Sequence, residues 1–349
     1  MKYSNVYISQ ISYELAPHVV TSEEIEDALK PFYEATGFKP GQLEVITGVR
    51  ERRFWDIDHT LAQGAAKAGK KALVSSKIPP EDIGVLVFCG VGQDGFEPAT
   101  ACAVADELRI GSSAHVYDVS NACLGVITGM VQVANEIELG NIKAGLVVSS
   151  ETARQIVDST IREINERQSV DFYKKTIATM TGGSGAVAVL LTNGTYDHIP
   201  AQHRIEGGVV QHANEHHELC RWTFSEKGMP THATIQMRTN AQAVLEHGLV
   251  LARQTFDRFK AELQLSQDKP DKYICHQVGA THQMMFHKAM DIDPAKDYAT
   301  FPFLGNIGTV SLPITAALAD ERGFLEKGDY VGFLGIGSGL NCLMMGVKW

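Results

Sequence analysis

Four short stretches carry residue types able to do chemistry. Cys123 lies in DVSNACLGVITGM, where a strand-like run, HVYDVS, passes through a turn of small residues into a helical pattern. A thiol placed there faces the positive end of a helix dipole and unpaired backbone N–H groups, which favour thiolate, the nucleophilic form. The competing reading is a buried structural cysteine. His276 lies in YICHQVGA at the carboxyl end of another strand-like run, where α/β proteins bind ligands; a satisfied core histidine is the alternative. Asn306 in FLGNIGTVSLP sits beside glycine, a place where Asn also serves simply as a turn residue. In GIGSGLNC (335–342), glycine allows the backbone to approach a ligand closely. It fails as a dinucleotide fingerprint, because no helix and no acidic residue follow it.

The elements that must hold these residues alternate in type. Strand-like runs rich in β-branched residues occur at 85–90, 115–120, 144–150, 185–191, 273–277 and 330–337. After Cys123, Val126, Met130, Val133 and Ile137 follow steps of four, three and four, one face of a helix that Gly140 could cap. Residues 241–263 read as a second amphipathic helix and 280–290 as a third. Strands alternating with helices imply an α/β protein with buried sheets. Each half holds a strand, a helix, a Gly-rich turn and another strand, which hints at duplication. The stretch from 194 to 240 breaks the periodicity and reads as an insertion lining or capping a site.

Composition sets the frame. The chain has 349 residues, 44% of them apolar and 21% charged, ordinary for a globular protein of about two domains. Its formal charge of −10 opposes a nucleic-acid groove or adhesion to an anionic membrane. The six cysteines, at 89, 102, 123, 220, 275 and 342, form no CxxC pair and read as reduced thiols. With neither a signal-peptide pattern nor an apolar run of about 18 residues, a cytoplasmic protein is expected. The cluster His212, His216, His217 and Cys220 suggests a metal, but neighbouring histidines on a helix diverge by about 100°, so no metal site is expected there.

In order and spacing, TGVRERR (47–53), EPATA (97–101), SNACLG (120–125), ICHQ (274–277), GNIGTVSLP (305–313) and GIGSGLN (335–341) resemble the thiolase superfamily, in its β-ketoacyl-ACP synthase III branch. The resemblance implies an α/β protein of the five-layer αβαβα thiolase fold, working as a homodimer. The halves would be residues 1–193 and 241–349, with 194–240 between them. It implies an acyltransferase with no permanently bound cofactor, acting on acyl-CoA or acyl-ACP. Cys123 would take the acyl group as a thioester. His276 and Asn306 would donate hydrogen bonds to a thioester oxygen that becomes an enolate. The backbone N–H groups of Cys123 and Ser338 would form the oxyanion hole. Gln42 and Ile46 stand where that branch usually holds the CoA adenine, and Gln277-Val278-Gly279 replaces its usual Gln-Ala-Asn, so CoA contacts are not carried over. Arg50, Arg52 and Arg53 could meet a phosphate or simply be solvated.

Glu97 divides the branch further. Synthase III enzymes usually carry an aromatic residue before this proline. A glutamate is similar to the OleA-type enzymes of long-chain olefin biosynthesis, in which it enters the neighbouring subunit's site. Condensing two ordinary acyl thioesters requires loss of an α-proton, for which a carboxylate is suited; decarboxylating a malonyl thioester does not. The local alternative is a helix-start glutamate with Pro98 at the first helical position. The expected activity is a non-decarboxylative Claisen condensation of two long-chain acyl-CoA molecules to a 2-alkyl-3-oxoacyl product. Further olefin-pathway enzymes are expected as transient partners. Decarboxylative synthase III chemistry is the runner-up. A non-catalytic acyl-binding subunit is disfavoured by the intact Cys/His/Asn set.

Overall fold

The structure is a computed structural model that describes residues 1–224 and 235–349. Thirteen strands are named among the described residues: β1 Tyr7–Leu15, β2 His18–Thr21, β3 Glu51–Phe54, β4 Ile83–Cys89, β5 His115–Val119, β6 Ala144–Glu151, β7 Gly185–Thr192, β8 Arg204–His212, β9 Cys220–Phe224, β10 Ile235–Thr239, β11 Lys272–Cys275, β12 Tyr330–Gly337 and β13 Asn341–Lys348. Nine form one sheet in the order β11-β12-β13-β8-β1-β7-β6-β4-β5.

That sheet is two copies of one pattern. In the first, β5, β4 and β6 run parallel, and β7 and β1 follow antiparallel. In the second, β11 and β12 run parallel, and β13 and β8 follow antiparallel. The counterpart of β5 shrinks to a single parallel bridge between Tyr273 and Asp297. The copies meet where Tyr7 of β1 pairs with Arg204 of β8.

Side-chain alternation turns these sheets into layers. On β4, β6 and β7, Leu86, Phe88, Leu146, Val148, Ala188 and Leu190 face the helices Leu61–Ser76 and Thr100–Leu108. Their neighbours Val85, Val87, Val147, Val187 and Val189 face inward. On the second sheet, Val331, Phe333, Leu343 and Met345 face the same interior, whereas Leu334, Cys342 and Met344 face the helices Ala241–Glu262 and Ala280–Met290. Between the sheets lie the helices Gly125–Glu138 and Ser311–Glu321. The order is helix, sheet, helix, sheet, helix, the expected five layers, because each strand buries a face on both sides.

The inner helix follows the sequence pattern. Val126, Met130, Val133 and Ile137 are at most 3% exposed, each burial contributing about 2 kcal/mol. Gly140 stands just past its end at φ 75°, and its N–H returns to Ile137 O. Two expectations shift. Residues 204–212, read within an insertion, form β8, an interior strand of the second sheet. Gly207 and Gly208 hide its alternation; added Cβ atoms would lie 2.4 Å from Met1 O and 2.5 Å from Met344 O. The helix after Pro98 begins at Thr100 with Ala99 as its N-cap, so Glu97 lies outside it.

Candidate active site

Four segments distant in sequence meet at the centre of the molecule. Ala122, at φ 45°, makes the sharp turn that presents Cys123 just before the inner helix. That left-handed conformation is uncommon for a residue with a side chain. Thr309 ties the Asn306 turn to this elbow by accepting Val126 N–H through Oγ1 at 2.8 Å. The end of β12 lies against it: a Cβ on Gly337 would sit 3.4 Å from Cys123 N. Asn341 Nδ2 closes the turn by donating to Ser338 O (3.2 Å) and Asn121 Oδ1 (3.3 Å).

His276 follows β11 directly, its N–H held by Leu334 O at 2.9 Å. Its neighbour Gln277 is buried and accepts the N–H groups of Thr300 and Phe301 at 2.7 and 3.0 Å, joining the strand end to the segment that leads to Asn306. The Asn306 backbone pairs with Thr181 O and Gly183 N. Its Oδ1 accepts Gly308 N–H at 3.1 Å, so its amide N–H groups remain for a ligand.

These residues line a cavity of about 400 Å³ that contains Cys123, His276, Asn306 and Ser338. Cys220, Trp222, Met237 and Thr239, from the β9–β10 ribbon, form part of its wall. The lining is mostly apolar with a few convergent polar groups, the character of a small-molecule site.

The charge states differ from the expectation of a thiolate. Burial pushes the Cys123 thiol up to about 12, and Cys220 and Glu151 add to the effect. A helix terminus is worth about 1 kcal/mol, less than tenfold in ionisation, and desolvation outweighs it. Burial also pulls His276 down to about 3, with His282 contributing. The resting pair is therefore a thiol and a neutral imidazole. His276 Nδ1 is enclosed without a partner, which leaves Nε2 as the nitrogen open to the cavity.

Two features escaped the sequence reading. Glu151, the last residue of β6 and its one charged residue, lines the cavity; burial raises its carboxyl to about 7 against backbone N–H bonds from Val91, Thr309 and Gly92. A charged residue ending a fully buried strand was the available signal. His282 also lines the cavity and is lowered to about 4 by burial.

Other candidates lie elsewhere. Glu97 does not line its own chain's cavity; it is exposed on a loop beside Phe96, which is 81% exposed. Arg52 is fully buried, donating to Ser22 Oγ at 3.0 Å and Met180 O at 3.1 Å, so it meets no phosphate. Arg53 donates to Ala16 O, and Arg50 is exposed. The His212–Cys220 group is spread out: Cys220 faces the cavity, His217 meets Glu218 and His216 stacks on His247.

Comparison with known proteins agrees with this geometry. The family model of 3-oxoacyl-[acyl-carrier-protein] synthase III matches residues 117–205, and that of its C-terminal region matches 261–349. Over its whole length the chain is 46% identical to the acyl-CoA:acyl-CoA alkyltransferase of Shewanella oneidensis and 36% identical to that of Xanthomonas campestris, covering 100% of each. The β-ketoacyl-[acyl-carrier-protein] synthase III of Clostridioides difficile is 26% identical, over 87% of this chain and 88% of that protein. A crystal structure of Xanthomonas campestris OleA with bound lauric acid and lauroyl-CoA superposes with a TM-score of 0.91 at 36% identity, covering 99% of this chain and 100% of that one.

Proposed function

From a chain that belongs to the OleA-type acyl-CoA:acyl-CoA alkyltransferases of the thiolase superfamily, we propose head-to-head condensation of two long-chain acyl-CoA molecules. The reaction loses no CO2 and yields a 2-alkyl-3-oxoacyl product. The observation that carries this reading is one apolar cavity holding a thiol, an imidazole and a carboxamide drawn from three distant segments.

The chemistry follows from the neutral resting pair. Cys123 Sγ attacks the first acyl-CoA carbonyl as its proton passes to His276 Nε2. The backbone N–H groups of Cys123 and Ser338 hold the oxyanion. The tetrahedral adduct expels the CoA thiolate, which takes the proton from His276. Neutral His276 then exchanges its remaining proton from Nδ1 to Nε2 through water and donates Nε2–H, and Asn306 its amide N–H, to the carbonyl oxygen of the second acyl-CoA. The partner subunit's Glu97 removes the α-proton. The resulting enolate attacks the acyl-Cys123 carbonyl; a carbon–carbon bond forms, the carbon–sulfur bond breaks, and the Cys123 thiolate takes up, through water, the proton that Glu97 removed, which resets both groups.

The exposed Glu97 loop supports a homodimer in which each chain completes the other's site. The bonds made and broken need no resident cofactor. We place the reaction in the cytoplasm, with further olefin-pathway enzymes as transient partners; among the described residues no helix is long and apolar enough to cross a membrane.

The test is intact-protein mass after mixing with one long-chain acyl-CoA. Wild type and Glu97→Ala should gain one acyl group, Cys123→Ala none, and only wild type should go on to condensed product. Acylation of Cys123→Ala, or full product from Glu97→Ala, would overturn these assignments.

A further inference from the structure

Behind the site lies a second cluster that the reaction does not use. Cys275 ends β11, one residue before His276. His287 comes from the helix Ala280–Met290, and Asp297 is the bridge residue standing in for a fifth strand. One ligand atom from each lies within 4.8 Å of the others. Cys275 and His287 are 4% and 6% exposed, and the Asp297 side chain is fully enclosed.

The cluster is incompletely satisfied. Asp297 Oδ2 lies 2.8 Å from His287 Nε2 and accepts Gln283 Nε2 at 3.0 Å. Its other oxygen, Oδ1, is buried with no N–H or O–H donor, and the Cys275 thiol, a weak donor, lies against the carboxylate. A buried carboxylate oxygen with no donor stronger than a thiol is costly. No lysine or arginine supplies one there among the ion pairs of the described residues, in which Asp297 meets only His287. A divalent cation removes the deficit, because one thiolate, one carboxylate and a neutral imidazole sum with it to zero net charge. Sulfur, nitrogen and oxygen donors from three elements are the ligand types that zinc selects.

We propose that Cys275, His287 and Asp297 bind one zinc ion, a staple between β11 and the helix Ala280–Met290. On binding, the Cys275 S–H bond breaks and its proton leaves to solvent. His287 carries its proton on Nδ1 and offers the Nε2 lone pair. Bonds form from sulfur, nitrogen and carboxylate oxygen to the ion, with no change of oxidation state. Gln283, already touching Asp297, holds the carboxylate from outside, as partners around metal ligands do. Since Cys275 directly precedes His276, the ion fixes the height of the imidazole in the cavity.

The test uses the full-length protein, stripped with a chelator and titrated with Co2+, whose thiolate charge-transfer absorption reports sulfur ligation. The bands should saturate at about one cobalt per chain, persist in Cys123→Ser and Cys220→Ser, and vanish in Cys275→Ser. Zinc should raise the melting temperature of the stripped wild type by about 5 °C, but not that of the near-isosteric Asp297→Asn. Absence of thiolate–cobalt bands in wild type, or bands unchanged by Cys275→Ser, would overturn the site and leave a hydrogen-bonded cluster only.

Discussion

A thiol held near 12 and an imidazole held near 3 in one cavity mean that the proposed nucleophile and its proposed base stay neutral across the working pH range. Glu151 is the cavity carboxyl raised to about 7. Above that pH its negative charge faces Cys123 and opposes thiolate formation as the acyl group is attacked. The acylation rate should therefore fall through an inflection near pH 7, and Glu151→Gln should remove it; a stopped-flow pH profile unchanged in the variant would contradict this role. The sign for stability is the same. Because the folded-state pKa lies above the unfolded value of 4.5, the native state binds the extra proton between 4.5 and 7, and this group costs about 3 kcal/mol of stability as pH rises through that window. At this scale the grouping of Cys123, His276 and Asn306 was legible, because residue type and order along the chain pick out three groups that the fold brings to one cavity. Their ionisation was not, since a dipole can be read from a sequence and desolvation cannot. Arg52 shows the same limit: three arginines in TGVRERR look alike, and only burial removes one of them from the surface.

The loop between β4 and the helix Thr100–Leu108 is held by carboxylates at both ends. Val91 N–H donates to Glu151 Oε1 at 3.0 Å. Asp94 accepts the N–H groups of Leu61 and Ala62 at 2.7 and 2.9 Å, at the start of the helix Leu61–Ser76. Asp118 accepts those of Thr100 and Ala101, both at 2.8 Å. Negative charge at two helix N-termini suits the dipole and pins the backbone on either side of Glu97. Asp94→Ala should release one anchor, lowering condensation about tenfold while leaving Cys123 acylation intact; equal loss of both steps would mean that Asp94 supports the fold rather than the loop. Elements with clean periodicity were legible almost to the residue: 330–337 and 280–290 coincide with the observed strand and helix, and 241–263 ends one residue early. β8 was not, because two glycines without side chains erase the alternation that marks a strand. The single bridge at Asp297 was likewise out of reach, since a strand of one pair leaves no pattern.

Across the whole molecule, duplication brings the carboxyl ends of β11 and β12 against the elbow before the inner helix, so each half supplies part of one cavity. The hint of duplication in the sequence rested on element order alone; the matching parallel and antiparallel pairings appear only in the fold. In the proposed reaction the exposed Glu97 loop serves a partner's site, which makes assembly a testable part of it. Mixing inactive Cys123→Ala with inactive Glu97→Ala and allowing subunits to exchange should restore about a quarter of wild-type condensation, since half the dimers are mixed and each mixed dimer holds one intact site. No recovery would place Glu97 outside the partner's cavity. The most direct measurement is product analysis with a single long-chain acyl-CoA and no malonyl thioester. Head-to-head condensation predicts a 2-alkyl-3-oxoacyl product, or the ketone left when its free acid loses CO2. Turnover only after malonyl thioester is added would contradict it.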